Sequence, residues 1–294
     1  MGGLPMTLES INVAMPTPFS ATGGIVLQSI ATLLQYYKNH RIHSVLICGS
    51  TGEQHSLKLE EKLSMIDYID QIEDKSFELI FGVSSLFQQE AITLAKRLNT
   101  SSIHAIMLGF PPYIKLSQAE AISYASKIIS EFNRDVLIYN NPGRTGFDLS
   151  VDSLMTLVKQ FPHIVGIKEA GDIKKADRLS NEFSDDFLLV AGGEADLLMK
   201  WEKGFNGISS ILANLYPDEI VKLTSLLNQG INDEETRGIY RFLEEKNNVI
   251  SKGSFLPNLK YLMNNRGLPA GYCRLPLGSV EAELIKKVEA GQFS

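Results

Sequence analysis

The sequence predicts a (β/α)8 barrel followed by a C-terminal helical extension, on three observations. Short, β-rich apolar runs alternate with amphipathic stretches from the N-terminus to about residue 215. Eight such units can be counted, and parallel strands joined by helical crossovers close most economically into a barrel. From Pro217 onward the strand signal stops and only helical periodicity remains. A doubly wound open sheet would satisfy the same alternation and is the structural alternative.

The strand expectations, in order, are Asn12–Met15, Ser44–Cys48, Glu78–Val83, Ala105–Leu108, Val136–Tyr139, Ile164–Glu169, Phe187–Ala191 and Gly207–Ser209. Between them Leu27, Ile30, Leu34 and Tyr37 recur at helical spacing, as do Leu59, Leu63, Ile66 and Ile69. A third stripe is Ile122, Ala125, Ile129 and Phe132, opened by Ser117 and Glu120 in capping-box spacing. After Pro217, helices are expected over Glu219–Leu227, Glu235–Val249, Leu256–Asn264 and Val280–Ala290. Pro257 falls near a helix start, where a missing N–H costs little. Residues 1–225 are therefore assigned to a barrel carrying the active site, and 226–294 to a C-terminal helical region.

Composition narrows the function. The chain of 294 residues is 44% hydrophobic and 21% charged, as expected of a soluble globular enzyme. A net charge of −6 argues against nucleic acid or an anionic membrane as partner. No apolar run approaches the roughly 20 residues of a membrane span. The N-terminus lacks a basic region followed by an apolar core, so no signal peptide is expected. Two distant cysteines, Cys48 and Cys273, suggest a reducing, cytoplasmic setting. The five histidines are scattered without ligand spacing, so no metal is expected.

Chemistry concentrates in the turns and strand ends that a barrel gathers at one mouth. In Ile164–Glu169 strict alternation places Ile164, Gly166 and Lys168 on one face and Val165, Ile167 and Glu169 on the other. A lysine buried there, without a carboxylate on its own face, loses affinity for its proton and becomes a Schiff-base nucleophile. A lysine snorkelling to the rim is the ordinary alternative. Tyr139 ends the fifth strand and can shuttle protons. Gly49-Ser50-Thr51-Gly52-Glu53 offers hydroxyls and backbone N–H groups to a carboxylate, or is simply a turn before a helix. Arg144, in the loop Asn141-Pro-Gly-Arg-Thr-Gly146, can hold a carboxylate in bidentate fashion or form a structural ion pair. Gly192-Gly193-Glu194 is a tight turn or a close approach to a ligand.

Gly49–Glu53, Tyr139–Gly146 and Gly166-Ile-Lys-Glu-Ala170, in this order and spacing, resemble the three motifs of the dihydrodipicolinate synthase / N-acetylneuraminate lyase family. The resemblance implies a pyruvate-dependent class I aldolase on a (β/α)8 barrel, needing no cofactor beyond the Schiff base on Lys168. It implies that Lys168 and Tyr139 are catalytic, that Ser50 joins the proton relay, and that Thr51 binds the pyruvate carboxylate. Tyr113, in Pro111-Pro112-Tyr113, matches the tyrosine that completes a neighbouring subunit's relay, so a homo-oligomer, tetramer or dimer, is expected. Arg144 matches the arginine that takes the carboxylate of aspartate semialdehyde. Gly192 and Ser209 stand where the backbone lines the pyruvate pocket. The expected partners are therefore a small keto acid and an aldehyde.

Departures keep the acceptor open. Ser50 stands where the synthases carry threonine, as in the sialic acid lyases, yet Arg144-Thr-Gly is a synthase feature. Asn141 replaces a small apolar residue. Dihydrodipicolinate synthase chemistry is the first reading, with a sialic acid lyase or 2-keto-3-deoxy sugar acid aldolase or dehydratase as runner-up. A non-catalytic keto-acid sensor is the reading from another class, although binding alone needs no nucleophile. Lysine inhibits many of the family's synthases, through an asparagine, a tyrosine and two histidines. Here Leu86, Pro112, Leu59 and Lys62 occupy those positions, with Glu90 retained, so lysine is not expected to inhibit.

Overall fold

The computed structural model describes residues 8–290. Eight parallel strands close into a barrel, each paired with its neighbours in sequence and the last with the first. They are β1 (Ile11–Ala14), β2 (Ser44–Ile47), β3 (Glu78–Val83), β4 (Ala105–Gly109), β5 (Asp135–Asn140), β6 (Ile164–Glu169), β7 (Leu188–Ala191) and β8 (Gly207–Ser210). The helices in the connections are α1 (Leu27–Asn39), α2 (Leu59–Gln71), α3 (Gln88–Leu98), α4 (Gln118–Ile129), α5 (Pro142–Thr145), α6 (Val151–Gln160), α7 (Ala176–Glu182) and α8 (Leu197–Glu202). Four helices follow β8: α9 (Pro217–Asn228), α10 (Glu234–Ile250), α11 (Phe255–Asn265) and α12 (Ala282–Glu289). Residue 225 lies inside α9. None of the described helices is long and apolar enough to cross a membrane. Residues 1–7, which bear on the expected absence of a signal peptide, lie outside the described ones.

Alternation along the strands divides the apolar side chains into two layers. Val13, Val45, Phe81, Ile106, Ile138 and Ile208 face outward into a core shared with the helices. Ala14, Leu46, Ile80, Met107, Leu137 and Val190 fill the barrel interior. The helices form where expected because their apolar stripes meet the outer layer. Ser117 and Glu120 make the expected capping box, each satisfying the other's backbone N–H.

Three local expectations are corrected. β2 ends at Ile47, because Cys48 already turns into a left-handed conformation (φ 58). Its thiol, pushed up to about 11 by burial, is that of an inert core residue. The segment read as a loop around Arg144 is the single-turn helix α5. Asn141 caps it by accepting from the Arg144 N–H, Pro142 pre-sets its first turn, and Gly146 ends it at φ 70.

The third correction concerns β6. Its register on β5 shifts, so that Val136 lies opposite Ile164 but Leu137 lies opposite Gly166. A bulge at Val165 turns Ile164 outward beside Ile167 and packs Val165 against the inner layer. Gly166 follows because a Cβ there would stand 2.5 Å from the Leu188 carbonyl oxygen. Beyond the glycine the phase is restored, and Lys168 and Glu169 fall on the faces expected.

Candidate active site

Tyr139 and Lys168 are register partners on adjacent strands, and so are Asn140 and Glu169 one step further on. The first pair faces the barrel interior and the second faces out. Outside, the buried Asn140 amide donates to both Glu169 carboxylate oxygens at 2.9 Å and to Asp148 at 2.8 Å. Asp148 is in turn paired with Lys175, and the Gly171 N–H donates to Glu169 at 2.6 Å. This clamp fixes the ends of β5 and β6 against each other, directly behind the two inward side chains.

Inside, Lys168 is 6% exposed and its ammonium lies 4.9 Å from the centre of the Tyr139 ring. Burial lowers its proton affinity, and Arg144 acts in the same direction. Tyr139 and Glu194 oppose this without reversing it. Burial would raise the Tyr139 phenol, but the Lys168 charge, hydrogen bonds from Ser50 and Asn141, and Arg144 outweigh it, so the phenol is held below its ordinary value. Asn141 Nδ2 donates to the phenol oxygen at 2.7 Å. An amine that gives up its proton readily thus faces a phenol that does so too, the combination needed for carbonyl attack with proton transfer.

The turn after β2 brings Ser50 and the buried Thr51 to the same mouth. Glu53 does not face the ligand space. It is fully buried at φ 53, accepts from Lys260 Nζ on α11 at 2.6 Å and from the Arg274 N–H at 2.9 Å. Thr17 donates to the Gly52 carbonyl at 2.6 Å from the other side. The turn is therefore braced from beneath by the C-terminal helices. Ser50, Tyr139 and Arg144 line one cavity of about 640 Å3 that continues outward past Ser84, Lys62 and Glu90. Arg144 is exposed at its rim, with its guanidinium 5.8 Å from the Phe255 ring and no ion pair among the described residues.

After β7, Gly192 must be small, since a Cβ would stand 2.6 Å from that of Ala170. Its N–H donates to the Glu169 carbonyl at 3.0 Å. Glu194 is buried and accepts from the Ser210 hydroxyl and from the Ile211 and Leu212 N–H groups at 2.9 and 2.8 Å. Burial raises its carboxyl, against these hydrogen bonds. Ser209 reaches the site with its side chain: Lys168 Nζ donates to its Oγ at 2.9 Å, and Oγ donates to Asn12 Oδ1 at 2.6 Å.

The fold thus gathers Lys168, Tyr139, Ser50, Thr51, Arg144, Gly192 and Ser209 around one mouth. Tyr113 is not among them: it is 94% exposed at φ 73. Sequence reasoning missed Asn12, Glu194 and the supporting role of Asn141. An asparagine in an apolar strand was the one visible signal for Asn12. Among the described residues no group of three His, Cys, Asp or Glu side chains could hold a metal ion.

A sequence profile of the dihydrodipicolinate synthetase family matches residues 7–291. The chain is 28% identical over 277 residues to the 4-hydroxy-tetrahydrodipicolinate synthase of Bacillus subtilis, covering 92% of this chain and 94% of that protein. With the 4-hydroxy-tetrahydrodipicolinate synthase of Ligilactobacillus salivarius it is 30% identical over 285 residues, covering 95% and 97%. The solved structure of the 4-hydroxy-tetrahydrodipicolinate synthase of Methylacidiphilum fumariolicum matches it with a TM-score of 0.89 at 26% identity, covering 97% of this chain and 95% of that one.

Proposed function

The chain belongs to the dihydrodipicolinate synthetase family, and from that premise we propose that it condenses pyruvate with aspartate semialdehyde, as a 4-hydroxy-tetrahydrodipicolinate synthase. The reading rests on one observation above all: a buried lysine amine set against a tyrosine phenol on the adjacent strand. The Ser50–Thr51 turn holds the pyruvate carboxylate, and the free Lys168 amine attacks the C2 carbonyl. Tyr139 protonates the departing oxygen, which leaves as water, and a proton lost from C3 turns the iminium into an enamine. The enamine carbon attacks the aldehyde, whose carboxylate Arg144 receives. No cofactor enters these steps.

Borohydride trapping tests the covalent step. Incubation with pyruvate and borohydride is expected to add one pyruvyl mass at Lys168 and none in Lys168→Ala. An adduct on another lysine, or no adduct, would sink the reading. Arg144→Ala separates acceptor recognition from pyruvate activation. It is expected to lower kcat/KM for a carboxylate-bearing aldehyde by roughly 2–4 kcal/mol while trapping persists.

Ser50, standing where the sialic acid lyases carry serine, supports a second acceptor class, the hydroxylated aldehydes of sugar acid lyases. A turnover screen of pyruvate against aspartate semialdehyde, N-acetylmannosamine and short sugar aldehydes decides between them. The protein acts as a homo-oligomer in which Tyr113 serves a neighbouring copy. Its support is the exposure of Tyr113 beside Leu86, Phe87 and Ile114, apolar surface that a monomer would leave in water.

A further inference from the structure

We propose that Ser209 is a further catalytic residue, the acceptor of the one N–H that Lys168 keeps throughout imine formation, and that Asn12 is the positioning residue that fixes it in that role. The inference rests on the Schiff-base reading above and adds to it two side chains on strands β1 and β8.

Asn12 and Ser209 are register partners on neighbouring strands and are 2% and 1% exposed. They lie in an inner layer that, apart from Tyr139 and Lys168, is built mainly of alanine, leucine, isoleucine, methionine and valine. Polar groups buried there are unfavourable unless each finds a partner, so their presence calls for a reason. The hydrogen bonds run in one direction, from Lys168 Nζ to Ser209 Oγ to Asn12 Oδ1. A serine hydroxyl has one hydrogen, and at 2.6 Å from an amide oxygen, which only accepts, that hydrogen lies on Asn12. Ser209 therefore turns a lone pair to the lysine and cannot donate to it.

The consequence follows from counting protons. The free amine has two N–H bonds, and pinning one on Ser209 orients the nitrogen lone pair away from β8. On attack the N–C bond forms and the carbonyl π pair moves to oxygen. The second N–H proton passes to that oxygen, giving a neutral carbinolamine. Its hydroxyl takes a proton from Tyr139 and leaves as water while the nitrogen lone pair closes the C=N bond. The nitrogen then carries a positive charge and one N–H, the one already held by Ser209. The proton consumed is regained when C3 is deprotonated to the enamine. A fixed acceptor at that N–H favours the charged, electrophilic iminium over the neutral imine, through a charge-assisted hydrogen bond. The other titratable or charged groups acting on this nitrogen are Tyr139 on β5, Glu194 beyond β7 and Arg144 on α5, and none is altered by changing Ser209.

The test reads the pH dependence of borohydride trapping with pyruvate, since borohydride reduces iminium much faster than neutral imine. In wild type, trapping falls at high pH as the imine loses its proton. In Ser209→Ala that fall is expected to move down by about one pH unit, the size of one hydrogen bond to a charged group. Turnover should fall about tenfold. Ser209→Thr, which keeps the hydroxyl, should restore both. Asn12→Leu should shift the fall in the same direction, because the freed hydroxyl can then donate to a neutral imine, and it carries the test if Ser209→Ala does not fold. A fall unmoved in Ser209→Ala, or moved equally in Ser209→Thr, would overturn the assignment. Absence of any adduct in wild type would instead overturn the Schiff-base reading, and this inference with it.

Discussion

Burial lowers the proton affinity of the Lys168 amine and makes its charge costly in the same act. An unfolded lysine binds its proton with the ordinary value of 10.5, whereas the folded site lowers it. Below the folded value both states hold the proton and the whole desolvation cost is felt. As pH rises through the folded value toward 10.5 the cost disappears, because neither state is charged. Lys168→Met, which fills the same space without charge, is therefore expected to be more stable than wild type near neutrality, with the advantage gone above about pH 10.5. Denaturant unfolding at several pH values checks it, and an advantage that grows with pH would show the sign to be wrong. Tyr139→Phe should lower kcat by about 10²–10³ with much less change in pyruvate affinity. A kcat within about twofold of wild type would make Tyr139 a packing residue.

Secondary-structure elements hold these groups in place through buried polar contacts. Beneath the turn after β2 that presents Ser50 and Thr51, Glu53 is tied to Lys260 on α11, with the two side chains 0% and 2% exposed. Lys260 also donates to the Thr17 and Tyr272 carbonyls, at 2.7 and 2.6 Å, so one ammonium joins the β1 loop, the β2 turn and the C-terminal segment. Lys260→Met leaves a buried carboxylate without its counter-charge and should cost about 3–5 kcal/mol. Adding Glu53→Gln should recover part of that loss, because the orphaned charge goes with it. Urea unfolding of the two single variants and the double variant gives the coupling. A loss below about 1 kcal/mol for Lys260→Met would mean that water reaches Glu53 and the brace is weak.

Across the molecule, the cavity runs from the Tyr139 phenol to a wall formed by Leu86, Lys62, Glu90 and Pro112. Lys62 is 6% exposed and has no ion pair among the described residues, while Glu90 accepts from the Ser85 hydroxyl at 2.9 Å. A lysine ligand would meet a like charge at Lys62 and would find no side-chain donor or acceptor on Leu86 or Pro112. From those two side chains its ammonium and carboxylate could not recover the hydrogen bonds lost with water. Calorimetry with millimolar lysine is expected to give no saturable heat, and assays at sub-saturating pyruvate no inhibition. Saturable binding that vanishes in Lys62→Ala would show that the wall accepts the ligand's carboxylate instead.

The alternation of apolar periods made the barrel the economical reading but left an open doubly wound sheet possible until β8 was seen to pair with β1. The strand-end motifs were enough to place Lys168, Tyr139 and Arg144 at one mouth. Both are local properties: side-chain period is written along the chain, and in a parallel barrel every strand ends at the same face. What lay out of reach joins residues far apart in sequence. Asn12 meets Ser209 only because the barrel closes β8 onto β1, and Glu53 meets Lys260 only because α11 folds back under the β2 turn. The bulge at Val165 arises from the pairing of β6 with β5, where strict alternation along the strand gave no warning. Glu169 and Glu194 carry no sequence signal of their partners, yet both are buried and accept from several donors. A residue's type and spacing decide which chemistry it can carry. Which proton it holds depends on partners and burial, and those exist only once the chain has closed on itself.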